Sequence, residues 1–205
     1  MSRINTETAS QAHKWLFGLM LLFGIIGLVV SFILSIEKIH LLENPDATLT
    51  CSINLVLNCS TVMQTWQSSV FGFPNMYIGL MAFPVVITVA TMMLAGAPVL
   101  PRWFWRTAHV SYGLGLAFAY WLFFNSVYDI EVLCPWCLVI TLTTTILFEL
   151  MTRYVLRKNS WDFKPALNDR IQVFLDKDFD KVIVASWIVL LIALVFLKFG
   201  ESLFA

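Results

Sequence analysis

The chain has 205 residues, 59% of them apolar and 13% charged, with thirteen basic against thirteen acidic side chains. So few charges cannot clothe a soluble core of this size, which excludes a soluble enzyme, and nothing in the charge pattern suggests nucleic-acid binding. The sequence reads as an all-α integral membrane protein.

In chain order, five apolar runs present themselves as spans: Trp15–Ile36, Tyr77–Ala97, Ala108–Val127, Leu133–Met151 and Val182–Leu197. At about 1.5 Å per residue, the first four can each cross a hydrocarbon core of roughly 30 Å. Residues 1–14 form a cytoplasmic N-terminal tail before them. The first run is too long for a signal-peptide core and no small-residue cleavage site follows it, so it is expected to stay in the protein. A long outer loop, Glu37–Met76, separates the first two runs. Gly24, Gly27, Gly113 and Gly115 read as positions of close helix packing. The fifth run is short, framed by Lys181 and Lys198, whose stems can reach the two interfaces. Before it, residues 157–181 carry Trp161, Phe163, Phe174 and Phe179 among charges and read as a cytoplasmic interfacial linker.

The basic residues set an orientation. Arg3, Lys14, Arg102, Arg106, Arg153, Arg157, Lys158, Lys164, Arg170, Lys177 and Lys181 fall on one side, and only Lys38 and Lys198 on the other. Retention of Lys and Arg in the cytoplasm puts the N-terminus inside and the C-terminus outside. All four cysteines then lie on the outer side: Cys51 and Cys59 in the long loop, Cys134 and Cys137 at the start of the fourth span. Thiols persist as disulfides in such a compartment, so they read as redox groups or structural bridges.

The sequence Cys134-Pro-Trp-Cys137 opens an apolar run, and Pro135 suits the first turn of a helix. Both sulfurs therefore belong to a helix N-terminus, where unpaired N–H groups and the dipole favour an anionic sulfur that can attack or leave. At the membrane surface, a lipid-soluble oxidant can reach them from within the bilayer. The bland readings are an inert bridge and an all-cysteine zinc site, His40 being the sole outer histidine. For Cys51 and Cys59, seven intervening residues permit either a static staple or a shuttle, and exchange with a reactive pair on the same side favours the shuttle. Of the eight tryptophans, Trp66 and Trp136 lie near these cysteines.

The order Cys51…Cys59-Ser60, Thr65, Phe71-Gly72-Phe73-Pro74-Asn75, Gly79, then Cys134-x-x-Cys137 at a later span resembles the bacterial branch of the vitamin K epoxide reductase family, over roughly Trp15 to Met151. The DsbB quinone reductases carry their C-x-x-C and spaced pairs in the opposite order. The resemblance implies a four-helix transmembrane bundle, residues 15–156, around a quinone pocket, with the loop 37–76 capping its outer mouth as a half-helix. A fifth transmembrane helix, within residues 182–205, lies beyond that core. It implies Cys134 and Cys137 as the active-site pair and Cys51 and Cys59 as the shuttle pair. Asn75 matches a polar residue near the quinone carbonyl, and Thr141 stands where animal members use a tyrosine. Thr65, Trp136 and Cys137 complete the implied contacts.

The implied cofactor is a membrane quinone, menaquinone being the expected one. The implied partner is a DsbA-like thioredoxin-fold protein acting in trans, since the chain ends shortly after Leu197. Partner electrons would enter at Cys51, pass through a Cys59–Cys134 bridge, and leave Cys137 for the quinone, in a bacterial inner membrane. Two alternatives stand beside this reading: a vitamin K quinone or epoxide reductase fed by a thiol donor, and a non-enzymatic scaffold with structural disulfides.

Overall fold

The computed structural model describes residues 2–45, 47–54, 56–96 and 100–203. Seven α-helices are described: α1 (Ser2–Glu43), α2 (Cys59–Gln64), α3 (Met76–Leu94), α4 (Arg102–Asn125), α5 (Pro135–Arg157), α6 (Pro165–Asp176) and α7 (Phe179–Leu203), with a 3-10 turn at Trp66–Ser69 and a π-helical turn at Ser126–Ile130 that continues α4. Five stretches are long and apolar enough to cross a membrane: Lys14–Glu43, Met76–Leu94, Arg102–Ile130, Pro135–Arg157 and Phe179–Gly200. In hydrocarbon each backbone N–H and C=O must find a partner within its own segment, which is why these apolar runs become helices.

The helix ends differ from the apolar runs because charge at an end does not stop a helix that can pair or solvate it. The first helix continues past Ile36 to Glu43, taking seven residues assigned by sequence to the loop. Glu37 accepts the Thr50 hydroxyl at 2.5 Å, and Lys38 Nζ donates to the Met63 carbonyl at 2.7 Å, so both tie the loop to the helix. The fifth run is likewise longer than its apolar core, because Asp180 is held by Arg153 at 2.6 Å and Lys198 by Glu131 at 2.7 Å. The linker 157–181 is not featureless. Pro165 starts α6, and Arg157–Asp176 at 2.6 Å and Gln172 Nε2 to the Leu156 carbonyl at 3.0 Å fasten that helix to the end of α5.

Packing follows the order α3, α1, α5, α4, with α7 against the outside of α5. Glycine makes the tightest contact in this row. A Cβ on Gly27 of α1 would fall inside the Phe83 ring of α3, and one on Gly79 of α3 would meet the Ser31 hydroxyl. Gly27→Leu is therefore expected to force the α1–α3 contact apart and cost about 1–3 kcal/mol by overpacking, read as a lower unfolding temperature in detergent. Gly115 packs against nothing within 4 Å, contrary to the close-packing role its neighbours suggest, because it faces a cavity. α3 and α4 face one another across that cavity.

Candidate functional site

Two short stretches of backbone, far apart in sequence, build the centre of the site. Asn54 Oδ1 accepts the N–H groups of Val56 (3.0 Å) and Leu57 (2.7 Å), and Ile53 N–H donates to the Leu57 carbonyl at 2.8 Å. That turn brings the chain back on itself, and Cys51 and Cys59 are joined as a disulfide. The returning strand then pairs with the residues before α5: Leu133 N–H donates to the Val56 carbonyl at 2.7 Å, and Asn58 N–H to the Leu133 carbonyl at 2.9 Å. This register places the next residue of each strand side by side, and the sulfurs of Cys59 and Cys134 are 3.2 Å apart.

Both neighbours of that contact also start helices. Asn58 caps α2 by accepting the Thr61 N–H, and Cys134 caps α5 with its sulfur, which accepts the Cys137 N–H at 3.3 Å. Pro135 occupies the first turn, as expected. The structure keeps the two sulfurs at one helix end, as expected, and gives them different degrees of burial. Cys134 is the N-cap, buried to 1% exposure against Cys59, and Cys137 sits inside the first turn, half-buried; both line the cavity. Cys134 and Cys137 are both free thiols. Thiol–disulfide exchange needs a thiolate beside a disulfide sulfur, and Cys134 stands in that relation to Cys59. Among the described residues no group of three or more His, Cys, Asp or Glu is placed to hold a metal.

The cavity has a volume of about 670 Å³ and apolar walls from α1, α3, α4 and α5. Its end nearest the cysteines is closed by the loop, through Val62, Met63, Thr65, Gln67 and Ser68. Aromatic pairs bind this cap to α4: Trp66 with Trp121 at 6.0 Å between centroids, and Phe71 with Phe118 at 5.3 Å. Its side is open between α3 and α4, where Val85 and Trp103 line it and are more than half exposed. A flat apolar ring can enter there from lipid.

Of the polar residues expected at such a ring, Asn75, Thr141, Thr65 and Cys137 line the cavity. Trp136 does not. Its ring packs with the cysteine cluster, because the residue before an inward-facing Cys137 on the first turn points elsewhere, and its Nε1 is buried without a partner. The Thr141 hydroxyl donates to the Cys137 carbonyl at 3.0 Å. Asn75 uses one N–H on the Gln67 carbonyl at 2.7 Å, and its Oδ1 is buried and unpaired. Gln67 went unnoticed in the sequence. It is 3% exposed on a 3-10 turn, lines the cavity, and nothing in its local pattern marks it.

The fifth helix reaches this end of the molecule. Lys198 pairs with Glu131, three residues before Cys134, and lies over the Tyr128 ring at 5.5 Å. The hydrogen bond from Lys198, then its charge, hold the Glu131 carboxyl below the ordinary carboxylate range. A depressed carboxylate contributes stability above its ordinary pKa, and the contribution disappears as pH falls through the depressed value. The pair is largely exposed, so the effect is small and screened. Lys198→Met is expected to lower the unfolding temperature slightly at about pH 7 and not at about pH 3, and the gap should also close near 1 M salt.

An apolar cavity of ring size, a buried disulfide in contact with a thiol, and a second thiol in the cavity wall fit a class: a polytopic membrane redox protein with a disulfide-forming cysteine pair. Comparison with known families agrees and is more specific. The family model described as the vitamin K epoxide reductase family matches residues 18–152, and the chain belongs to that family. A search of curated proteins found no match. Proteins of this family are quinone-associated, and the cavity fits such a group by its volume and apolar wall.

Proposed function

We propose that this protein oxidises the dithiol of a DsbA-like thioredoxin-fold partner and passes the electrons to a membrane quinone, menaquinone being the expected one, so that disulfides form in exported proteins. The reading is carried by the 3.2 Å approach of Cys59 to Cys134 beside a cavity that Cys137 lines. Its setting is a bacterial inner membrane with the cysteines outside. In support, Lys38 and Lys198 lie at the cysteine end of the bundle, and Arg102, Arg106, Arg153 and Arg157 pair with the 157–181 segment at the other.

A partner thiolate attacks Cys51, breaking the Cys51–Cys59 bond, and a second partner thiol then displaces Cys51, leaving the partner oxidised and the loop pair reduced. Because Cys51 is only 4% exposed, the loop must open for that attack. The Cys59 thiolate next attacks Cys134 of an oxidised Cys134–Cys137 pair, forming the Cys59–Cys134 bridge and expelling Cys137 as a thiolate into the cavity wall. Cys51 resolves the bridge, the loop disulfide returns, and Cys134 and Cys137 remain as a dithiol. That is the pairing of the four sulfurs found here. When bound, a quinone supplies the two-electron acceptor that re-forms the Cys134–Cys137 disulfide and leaves, with two protons, as quinol. The cap and the apolar wall exclude water from Cys137, and Asn75 orients the ring.

Anaerobic mixing of the protein with a reduced thioredoxin-fold dithiol and a short-chain naphthoquinone tests this directly. One quinone absorbance is expected to bleach per partner disulfide formed. An unbleached quinone would sink the reading, and turnover of an epoxide in its place would move the protein to the epoxide reductase alternative.

A further inference from the structure

At the outer end of the cavity, the end that holds the cysteines, hydroxyl donors are engaged by the protein and two amide acceptors are not. Thr65 and Ser68 turn their hydroxyl protons onto the carbonyls of Val62 (2.8 Å) and Met63 (2.7 Å), and Thr141 gives its own to Cys137. Gln67 Nε2 donates to the Asp129 carboxylate at 2.7 Å, and Asn75 Nδ2 to the Gln67 carbonyl. Both acceptors are oxygens that can only accept, so the orientation of each amide is settled. What remains is Gln67 Oε1 and Asn75 Oδ1, both buried, both without a partner and both on residues that line the cavity. The unpartnered donors on its wall, Trp105 Nε1 and the Tyr112 hydroxyl, come from the half of α4 remote from the cysteines.

We propose that the outer end of the cavity selects the reduced, hydroxyl-bearing form of the ring, and that Gln67 is the residue that makes it do so. The proposal rests on the quinone reading above and goes beyond it. A quinone carries only acceptors, and the second N–H of each amide can still hold it. A hydroquinone carries two hydroxyl donors and satisfies the orphan oxygens as well, which is where a buried acceptor gains most from a ligand. The step is balanced: the Cys134–Cys137 dithiol gives two electrons and two protons, becoming a disulfide, as quinone becomes hydroquinone. Tenfold tighter binding of the product raises the midpoint potential of the bound couple by about 30 mV and draws electrons off Cys137. Asp129, exposed at the surface, is a positioning residue. By accepting from Nε2 it keeps Oε1 toward the ring.

Two redox-inert probes separate the cases in the intact chain: 1-naphthol, which donates a hydrogen bond, and 1-methoxynaphthalene, which cannot. Binding is read by calorimetry, with no turnover involved. In the wild type naphthol is expected to bind about tenfold more tightly, and Gln67→Met should abolish that preference while leaving methoxynaphthalene unchanged. Asp129→Leu keeps Gln67 and its burial but frees the amide to turn, so it should weaken the preference even if Gln67→Met fails to fold. A preference unchanged in Asp129→Leu and in folded Gln67→Met overturns the proposal, as does equal binding of the probes by the wild type. In either case the quinone reading stands. Failure of both probes to bind removes the quinone reading and this inference together.

Discussion

Cys137→Ser should accumulate a disulfide between Cys59 and Cys134, with Cys51 released as a thiol. Cys134 lies 3.2 Å from a sulfur that is itself bonded to Cys51, so its thiolate can displace Cys51 without any change in the number of electrons held. On the proposed relay two thiolates can open that bridge in the wild type, Cys51 by attack on Cys59 and Cys137, the next residue but two on the same helix turn, by attack on Cys134. Serine cannot, because a hydroxyl is not a leaving group or nucleophile for disulfide exchange at neutral pH. Cys134→Ser should behave differently: the loop pair has no acceptor and stays reduced once the partner has donated. Both variants should lose quinone-linked turnover by at least about a thousandfold, the scale on which covalent-catalysis groups matter. Peptide mapping after acid quenching distinguishes the two states. A Cys51–Cys134 bridge would exchange the shuttle roles, and no interloop bridge at all would end the relay.

Filling the cavity should have a comparably large effect by a different route. Gly115 of α4 lines the cavity, and a Cβ built there meets nothing within 4 Å. A side chain at this position therefore enters the space without displacing protein, and loss of a glycine from a helix interior is favourable by a few tenths to about 1 kcal/mol. Gly115→Trp should fold as well as the wild type, retain exchange between the partner and the loop cysteines, and lose quinone reduction by about a hundredfold, as expected when a reacting ring is held away from its productive position. Gly113→Trp is the contrast. Its Cβ meets the Phe148 ring at 3.3 Å, so the same substitution two residues away should lower stability instead. Normal quinone turnover in Gly115→Trp would show that electrons leave by another site.

Much of this was legible in the chain because it is local. Apolar length sets the spans. Pro135 sets the start of α5 and so puts the C-x-x-C at a helix end. The near absence of Lys and Arg around the cysteines groups them at one end of the bundle. Helix ends were less legible: Glu37, Lys38, Asp180 and Lys198 look like boundaries, yet each charge finds a partner from another element and the helix runs on.

The chemistry of the site depends on contacts that no local signal encodes. Cys59 and Cys134 are 75 residues apart, and what joins them is the register of two backbone hydrogen bonds between residues 56–58 and Leu133. A shift of one residue in that pairing would move the two sulfurs out of contact. Likewise, whether an amide or hydroxyl offers a donor or a lone pair depends on which neighbour has taken its proton. Asn75 and Thr141 were visible as polar residues, but their engaged donors were not, and Gln67 became a candidate only when folding buried its oxygen. The sequence by itself determined the membrane class, the spans and the place of the C-x-x-C at a helix start, through composition and helix-start residues acting over a few turns. Only the tertiary structure decided which sulfurs touch and which polar atoms face the cavity, because burial and hydrogen-bond saturation are properties of the packed whole.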